Sequence, residues 1–119
     1  MKATCPTEHQ EQVGFCEWVS LKFPGLLCFS IPNGEHRAIS VAVRLKKEGL
    51  TRGVPDLFIP SLKIFIEMKR KDGGTVSKEQ EKIIAYLSRV GYTVWVCHGA
   101  EEASRMLLNF LKDKESKTP

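Results

Sequence analysis

The chain has 119 residues, of which 42% are apolar and 27% charged, a size and balance typical of one globular domain with one core. Eighteen Lys and Arg against fourteen Asp and Glu give a formal charge of +4. This is a mild bias toward polyanions such as nucleic acid, which alone does not identify the partner. Because no apolar stretch is long enough to cross a bilayer, the sequence excludes a membrane protein.

The cysteines are widely spaced and include no Cys-x-x-Cys pair: Cys5, Cys16, Cys28 and Cys97. A zinc ribbon or a thioredoxin-type motif is therefore not expected. The N-terminal residues lack the apolar run of a secretory signal, so we expect reduced thiols and a cytoplasmic location.

Apolar spacing predicts a first helix over residues 8–23, ended by Pro24-Gly25, and then a buried strand over 26–31. A second helix is marked by Ala38, Val41 and Leu45 and capped by Gly49. Residues 55–60 and 62–69 predict two strands with a very short connection, which is typical of a hairpin.

A third helix is predicted from Ser77 to the stop at Gly91, followed by a strand over 92–97 and a helix over 100–111. Residues 112–119 are predicted to be a frayed polar tail. The order is α-β-α-β-β-α-β-α in one domain, residues 1–119. This order predicts a mixed α/β sheet with helices on both faces, the strand after the third helix lying parallel to a hairpin strand.

Three charged residues fall on the predicted hairpin: Asp56, Glu67 and Lys69. Since strand side chains alternate, Glu67 and Lys69 share one face, and Asp56 can converge on them from the neighbouring strand. Two carboxylates suit Mg²⁺ or Mn²⁺, which acidify bound water, and an ammonium beside them suits phosphodiester hydrolysis. The alternative is a cross-strand ion pair on a solvated face.

Other ordered blocks accompany these three residues along the chain: residues 8–12, 31–34, Arg37, 44–49, 53–57 (Gly-Val-Pro-Asp-Leu), 65–69 (Phe-Ile-Glu-Met-Lys), 77–80 and Gly91-Tyr92. In these blocks the chain resembles the VRR-NUC (viral replication and repair nuclease) branch of the PD-(D/E)xK nucleases. The resemblance implies a restriction-endonuclease-like core.

In that core, the resemblance implies that Asp56, Glu67 and the Met68 backbone carbonyl hold a divalent metal, Mg²⁺ or Mn²⁺, and that Lys69 serves the attacking water. Glu8 matches the additional acidic residue of the family, which helps to hold or hydrate the metal, and Gln80 matches a glutamine after the catalytic strand. Further residues are candidates for DNA contact: Asn33, Arg37, Arg44, Arg52, Arg70 and Lys78.

Three of these residues also have plain structural explanations. Glu8 could be a first-turn acid that favours the helix N-terminus. Ser77 and Gln80 have the spacing of a capping box, so Gln80 could be a helix cap, a site residue or both. Asn33, which precedes Gly34, could simply form a turn.

The sequence therefore predicts a metal-dependent DNA endonuclease. The resemblance implies a homodimer that cuts branched DNA such as four-way (Holliday) junctions, in replication, repair or recombination in a bacterial or phage-infected cell. Two alternatives stay open: a flap, nick or single-strand nuclease, and a non-catalytic DNA-binding accessory domain.

Overall fold

The structure is a computed structural model that describes residues 5–32 and 38–116. The predicted order of helices and strands is confirmed, with a short 3₁₀ turn added at Pro60–Leu62. The elements are α1 (Glu8–Lys22), β1 (Phe29–Ser30), α2 (Ile39–Lys47), β2 (Leu57–Ile59), β3 (Ile64–Lys69), α3 (Lys78–Arg89), β4 (Thr93–His98) and α4 (Ala100–Ser116).

The four strands form one mixed sheet in the order β1-β2-β3-β4. The predicted hairpin is confirmed: β2 and β3 pair antiparallel, with Leu57 opposite Ile66 and Ile59 opposite Ile64. The 3₁₀ turn joins these strands, and Lys63 after it adopts a left-handed conformation with φ 56°. β4 pairs parallel to β3, as predicted, because α3 carries the chain back across the sheet.

The core lies on the face of β3 that Ile64, Ile66 and Met68 share, where all three side chains are buried. Against this face pack α1 and α4, whose buried apolar residues are Phe15 and Val19 of α1, and Ala103 and Leu107 of α4. Burying each of these larger side chains contributes about 1.5–3 kcal/mol, so this layer supplies most of the hydrophobic stabilisation.

The opposite face of β3 carries Phe65, Glu67 and Lys69, since successive side chains alternate. Helix α3 lies on this side, because Gln80 near its N-terminus contacts the Lys69 side chain. Helices therefore cover both faces, as the sequence predicts. The charged face of β3 consequently lies beneath the start of α3.

Two predicted boundaries are wrong. The buried strand over 26–31 reduces to the exposed pair Phe29–Ser30. Among the described residues β1 is an edge strand that pairs with β2 alone, and the chain before it turns at Phe23. The polar tail predicted from residue 112 is helical as far as Ser116. Lys112, Lys114 and Glu115 are good helix formers, and their solvent-facing positions need no apolar contact.

The part of the chain that the structure describes contains no helix that is both long and apolar enough to span a membrane.

Candidate active site

The carboxylates of Asp56 and Glu67 lie side by side on the charged face of the hairpin. The register that pairs Leu57 with Ile66 places Asp56, directly before β2, opposite Glu67. Opposed side chains on one face have Cβ atoms about 5 Å apart. The two carboxyl groups are close enough to interact by charge and by a hydrogen bond. The sequence-predicted convergence of these two acids is therefore present.

Backbone contacts fix Asp56 on both sides. Its Oδ2 accepts a hydrogen bond from the Met68 N–H at 2.8 Å, and its carbonyl accepts one from the Ile31 N–H at 2.8 Å. The N–H and C=O of one strand residue point to the same side of the strand. Since the Met68 N–H points to Asp56, the Met68 carbonyl is also directed toward the Asp56 side of β3, as a backbone ligand to a shared metal would be.

Lys69 is buried beside the two acids, with 6% of its surface exposed, and Glu67 is 3% exposed. The Lys69 Nζ donates a hydrogen bond to Gln80 Oε1 at 3.0 Å and lies 3.9 Å from Glu67 Oε2. An ion pair on a solvated face, the alternative that the sequence left open, does not describe this geometry. Burying an acid and an amine is costly, which is typical of sites that bind a ligand.

The Gln80 side chain makes two contacts at once. Its side-chain Oε1 accepts a hydrogen bond from the Ser77 backbone N–H at 2.9 Å. The backbone N–H of Gln80 donates to Ser77 Oγ at 3.2 Å, which completes the capping box at the start of α3. The same Oε1 accepts from Lys69 Nζ. Gln80 is therefore the helix cap and also contacts the lysine ammonium, and its role as a site residue stays a prediction.

The pKa of Glu67 is raised to about 9, and burial is the largest cause. The charge of Asp56 and the hydrogen bond with it act in the same direction, whereas the Lys69 ammonium acts in the opposite one. In the metal-free protein at neutral pH, Glu67 therefore keeps its proton. A divalent cation would compensate both carboxylates and replace that proton.

Glu8 is the first residue of α1 and is exposed to solvent. Its charge contributes to the raised pKa of Glu67, which places Glu8 in the electrostatic field of the acid pair. An acidic side chain at this position also interacts favourably with the N-terminal end of the helix dipole, so Glu8 stabilises the helix as well. Contact between Glu8 and a metal stays a prediction.

The backbone before Asp56 packs directly on the start of α3 at Gly53. A Cβ on Gly53 would lie 2.5 Å from the Glu79 carbonyl oxygen and 2.9 Å from the Gln80 nitrogen, and the φ of Gly53 is +91°. Only glycine fits such a close approach with this backbone conformation. The contact joins the segment that carries Asp56 to the helix that carries Gln80.

We expect Gly53→Ala to lower the free energy of unfolding by about 2–4 kcal/mol, because the strain of a left-handed alanine adds to the clash with α3. Gly49→Ala is the matched control, since Gly49 has φ +105° and no atom of the described residues lies within 4 Å of the added Cβ. Urea unfolding of both variants measures the difference. Equal losses in the two variants would show that the contact with α3 does not constrain Gly53.

The described candidates for DNA contact are all exposed: Arg44, Arg52, Arg70 and Lys78. Three of them are neighbours in the chain of residues at the site: Arg70 follows Lys69, Lys78 begins α3, and Arg52 precedes Gly53, which contacts α3. Arg44 lies on α2. Asn33 and Arg37, also predicted to contact DNA, lie outside the described residues.

The buried carboxylate of Glu11 was not predicted as a site residue. Glu11 lies on α1 four and eight residues before Phe15 and Val19, the buried residues of the same helix. The sequence did contain a signal for its burial, because an acid at this spacing falls on the apolar face of the helix.

The donor set at Asp56 and Glu67 fits a hard divalent cation. Within residues 5–32 and 38–116, no group of three or more His, Cys, Asp or Glu side chains is arranged to hold a metal. An ion here would therefore depend on two carboxylates, the Met68 carbonyl and water. Mg²⁺ and Mn²⁺ are commonly bound in this way, with few protein oxygens and several retained waters.

Comparison with known proteins agrees with this geometry. The family model of the VRR-NUC domain matches residues 2–101. A solved structure described as a VRR_NUC domain protein superimposes with a TM-score of 0.73 at 20% sequence identity, covering 94% of this chain and 92% of that chain. At this identity the likeness shows the fold alone. No curated protein matches the chain.

The fold and the family match define a nuclease-type domain of the PD-(D/E)xK class. The chain belongs to the VRR-NUC family.

Proposed function

We propose that this protein is a Mg²⁺- or Mn²⁺-dependent deoxyribonuclease that cuts branched DNA such as four-way junctions. The observation that carries the proposal is the juxtaposition of the half-buried Asp56 with the buried Glu67, beside the Lys69 ammonium at one end of the β2–β3 hairpin. PD-(D/E)xK domains generally use divalent metals. We propose that it acts in DNA replication, repair or recombination in the cytoplasm of a bacterial or phage-infected cell.

The residues of the site have different chemical roles in this proposal. Asp56, Glu67 and the Met68 carbonyl would hold the cation, and Glu8 would act on it through water. A divalent ion bound here supplies an acidified water and neutralises phosphate charge. Lys69, held by Gln80 at 3.0 Å, orients the attacking water or stabilises the charge that develops on the phosphate.

The exposed arginines and lysines around this site suit the phosphate backbone of the substrate. Arg70 directly follows Lys69, Lys78 begins α3, Arg52 precedes Gly53, and Arg44 is exposed on α2. Contacts of this kind position DNA without reading its sequence. We therefore propose selectivity for DNA structure rather than base sequence.

We propose that the enzyme acts as a homodimer, because two active sites related by a twofold axis suit symmetric cleavage of a junction. Exposed apolar side chains are available to contact a second copy: Leu27 and Phe29 at edge strand β1, and Ile39 and Val43 on α2. Apolar side chains that are exposed close together are typical of interaction sites.

Cleavage of a panel of labelled DNAs tests the proposal. With Mg²⁺ or Mn²⁺, we expect paired nicks in a four-way junction at a rate at least tenfold above that for linear duplex, and a dimer mass by light scattering. Cleavage confined to free ends, flaps or single strands would favour end processing and contradict junction resolution. Binding to junction DNA without cleavage under any metal condition would favour the accessory-domain alternative.

A further inference from the structure

Glu11 of α1 is a buried acid that the proposed chemistry does not use. It is 6% exposed, and its Oε1 accepts a hydrogen bond from the Ala100 N–H at 3.2 Å. Its Oε2 is buried and has no hydrogen-bond partner among the residues that the structure describes. A half-satisfied buried carboxylate is costly, so its presence on the apolar side of α1 calls for an explanation beyond packing.

Ala100, which donates a hydrogen bond to Glu11, is adjacent in the chain to a residue that contacts the candidate active site. Ala100 is the first residue of α4, and the preceding Gly99 donates its N–H to the Lys69 carbonyl at 2.9 Å. One carboxylate oxygen thus joins α1 to the short segment that is itself bonded to the end of β3. The Glu11 carboxylate also interacts favourably with the N-terminal end of the α4 dipole.

Gly99 allows this close approach. Its φ is +101°, and a Cβ there would lie 3.1 Å from Glu11 Oε2 and 2.7 Å from the Lys71 Cγ. Any larger residue would push the carboxylate and the lysine stem apart. The junction between β4 and α4 is therefore shaped to accept the Glu11 side chain.

We propose that Glu11 is a positioning residue that anchors α1 at the β4–α4 junction and thereby holds Glu8 beside the Asp56–Glu67 pair. Glu8 precedes Glu11 by three residues, so the two side chains are neighbours on α1. Because Glu8 is the first residue of the same helix, its position follows from where α1 is fixed. The effect of Glu11 on metal binding rests on the proposed function, whereas the anchoring of α1 through the Glu11–Ala100 hydrogen bond does not.

The test measures Mn²⁺ affinity by calorimetry for wild type, Glu11→Ala, Glu11→Gln and the control Glu17→Ala, an exposed acid on the same helix. We expect Glu11→Ala to weaken binding about tenfold, as loss of a supporting contact does at metal sites. Glu11→Gln, which keeps an oxygen for the Ala100 N–H, should stay within about threefold of wild type. The control should match wild type.

The same substitution in a Glu8→Gln background separates positioning from general destabilisation. If Glu11 acts through Glu8, Glu11→Ala changes Mn²⁺ affinity little once Glu8 is neutral. Equal weakening in both backgrounds, or no weakening in a folded Glu11→Ala protein, would overturn the proposal. Thermal unfolding of each variant establishes that it is folded.

Hydrogen exchange supplies a readout that needs no metal. In Glu11→Ala we expect faster exchange at the Ala100 amide and in the first turn of α1, with β3 unchanged. If wild type binds no Mn²⁺, the proposed function fails and this comparison alone decides on the anchor. Unchanged exchange at both places would then overturn it.

Discussion

Replacing Lys69 with alanine is expected to lower the rate of DNA cleavage by about three orders of magnitude while Mn²⁺ affinity stays within about threefold of wild type. The ammonium is buried and directed by Gln80, so water cannot substitute for it in the same geometry. It is not a metal ligand, and its removal leaves both carboxylates in place. Single-turnover cleavage of labelled junction DNA, together with calorimetry, measures the two quantities.

Lys69→Met is the second variant, because it keeps the aliphatic stem that lies against Gly74 and so protects the fold. Lys63→Ala is the matched control: this lysine is exposed at the start of the same hairpin strand. The control should cleave at the wild-type rate. If Lys69→Met retained more than about a tenth of wild-type activity, a catalytic role for the ammonium would be contradicted.

Mn²⁺ affinity is expected to rise with pH by about tenfold per unit across neutral pH, because the ion competes with the proton on Glu67. Burial and the neighbouring Asp56 raise the pKa of this carboxyl from 4.5 to about 9. Binding at pH 7 should therefore release about one proton per ion. Calorimetry in two buffers with different ionisation enthalpies counts that proton.

The same pKa determines how stability depends on pH without metal. The folded protein keeps the Glu67 proton between pH 4.5 and 9, whereas the unfolded chain has lost it. The contribution of Glu67 to the free energy of unfolding therefore falls as pH rises through this window. Glu67→Gln should remove that dependence and abolish Mn²⁺ binding. A wild-type affinity independent of pH from 6 to roughly 8 would contradict the shared-proton site.

Much of the candidate site could be predicted from the sequence because it depends on short-range rules. Strand alternation places Glu67 and Lys69 on one face, and a short connection after residue 60 is enough to bring Asp56 opposite Glu67. The spacing of Ser77 and Gln80 likewise predicts the capping box that the structure contains. The resemblance then gave these residues their proposed roles.

Other features depend on tertiary contacts that no local pattern records. The hydrogen bond that Lys69 donates to Gln80 forms only because α3 starts beside the end of β3. Glycine is required at position 53 only because the backbone there packs against the backbone of α3. Strand β1 is short because an edge strand has a single partner, which apolar content over residues 26–31 could not reveal. The spacing of Glu11 on α1 indicates its burial, but its hydrogen bond with the Ala100 N–H is a tertiary contact that this spacing does not predict.

The most direct test of the central claim, that Asp56 and Glu67 hold a divalent cation for DNA cleavage, is a junction cleavage assay with wild type and Asp56→Asn in Mg²⁺, Mn²⁺ or EDTA. We predict cleavage by wild type with either metal, none in EDTA, and restoration when excess Mg²⁺ is added back. Asp56→Asn, which keeps an oxygen for the Met68 N–H, should be folded and inactive in every condition. Cleavage by wild type in EDTA, or wild-type rates in Asp56→Asn, would contradict the claim.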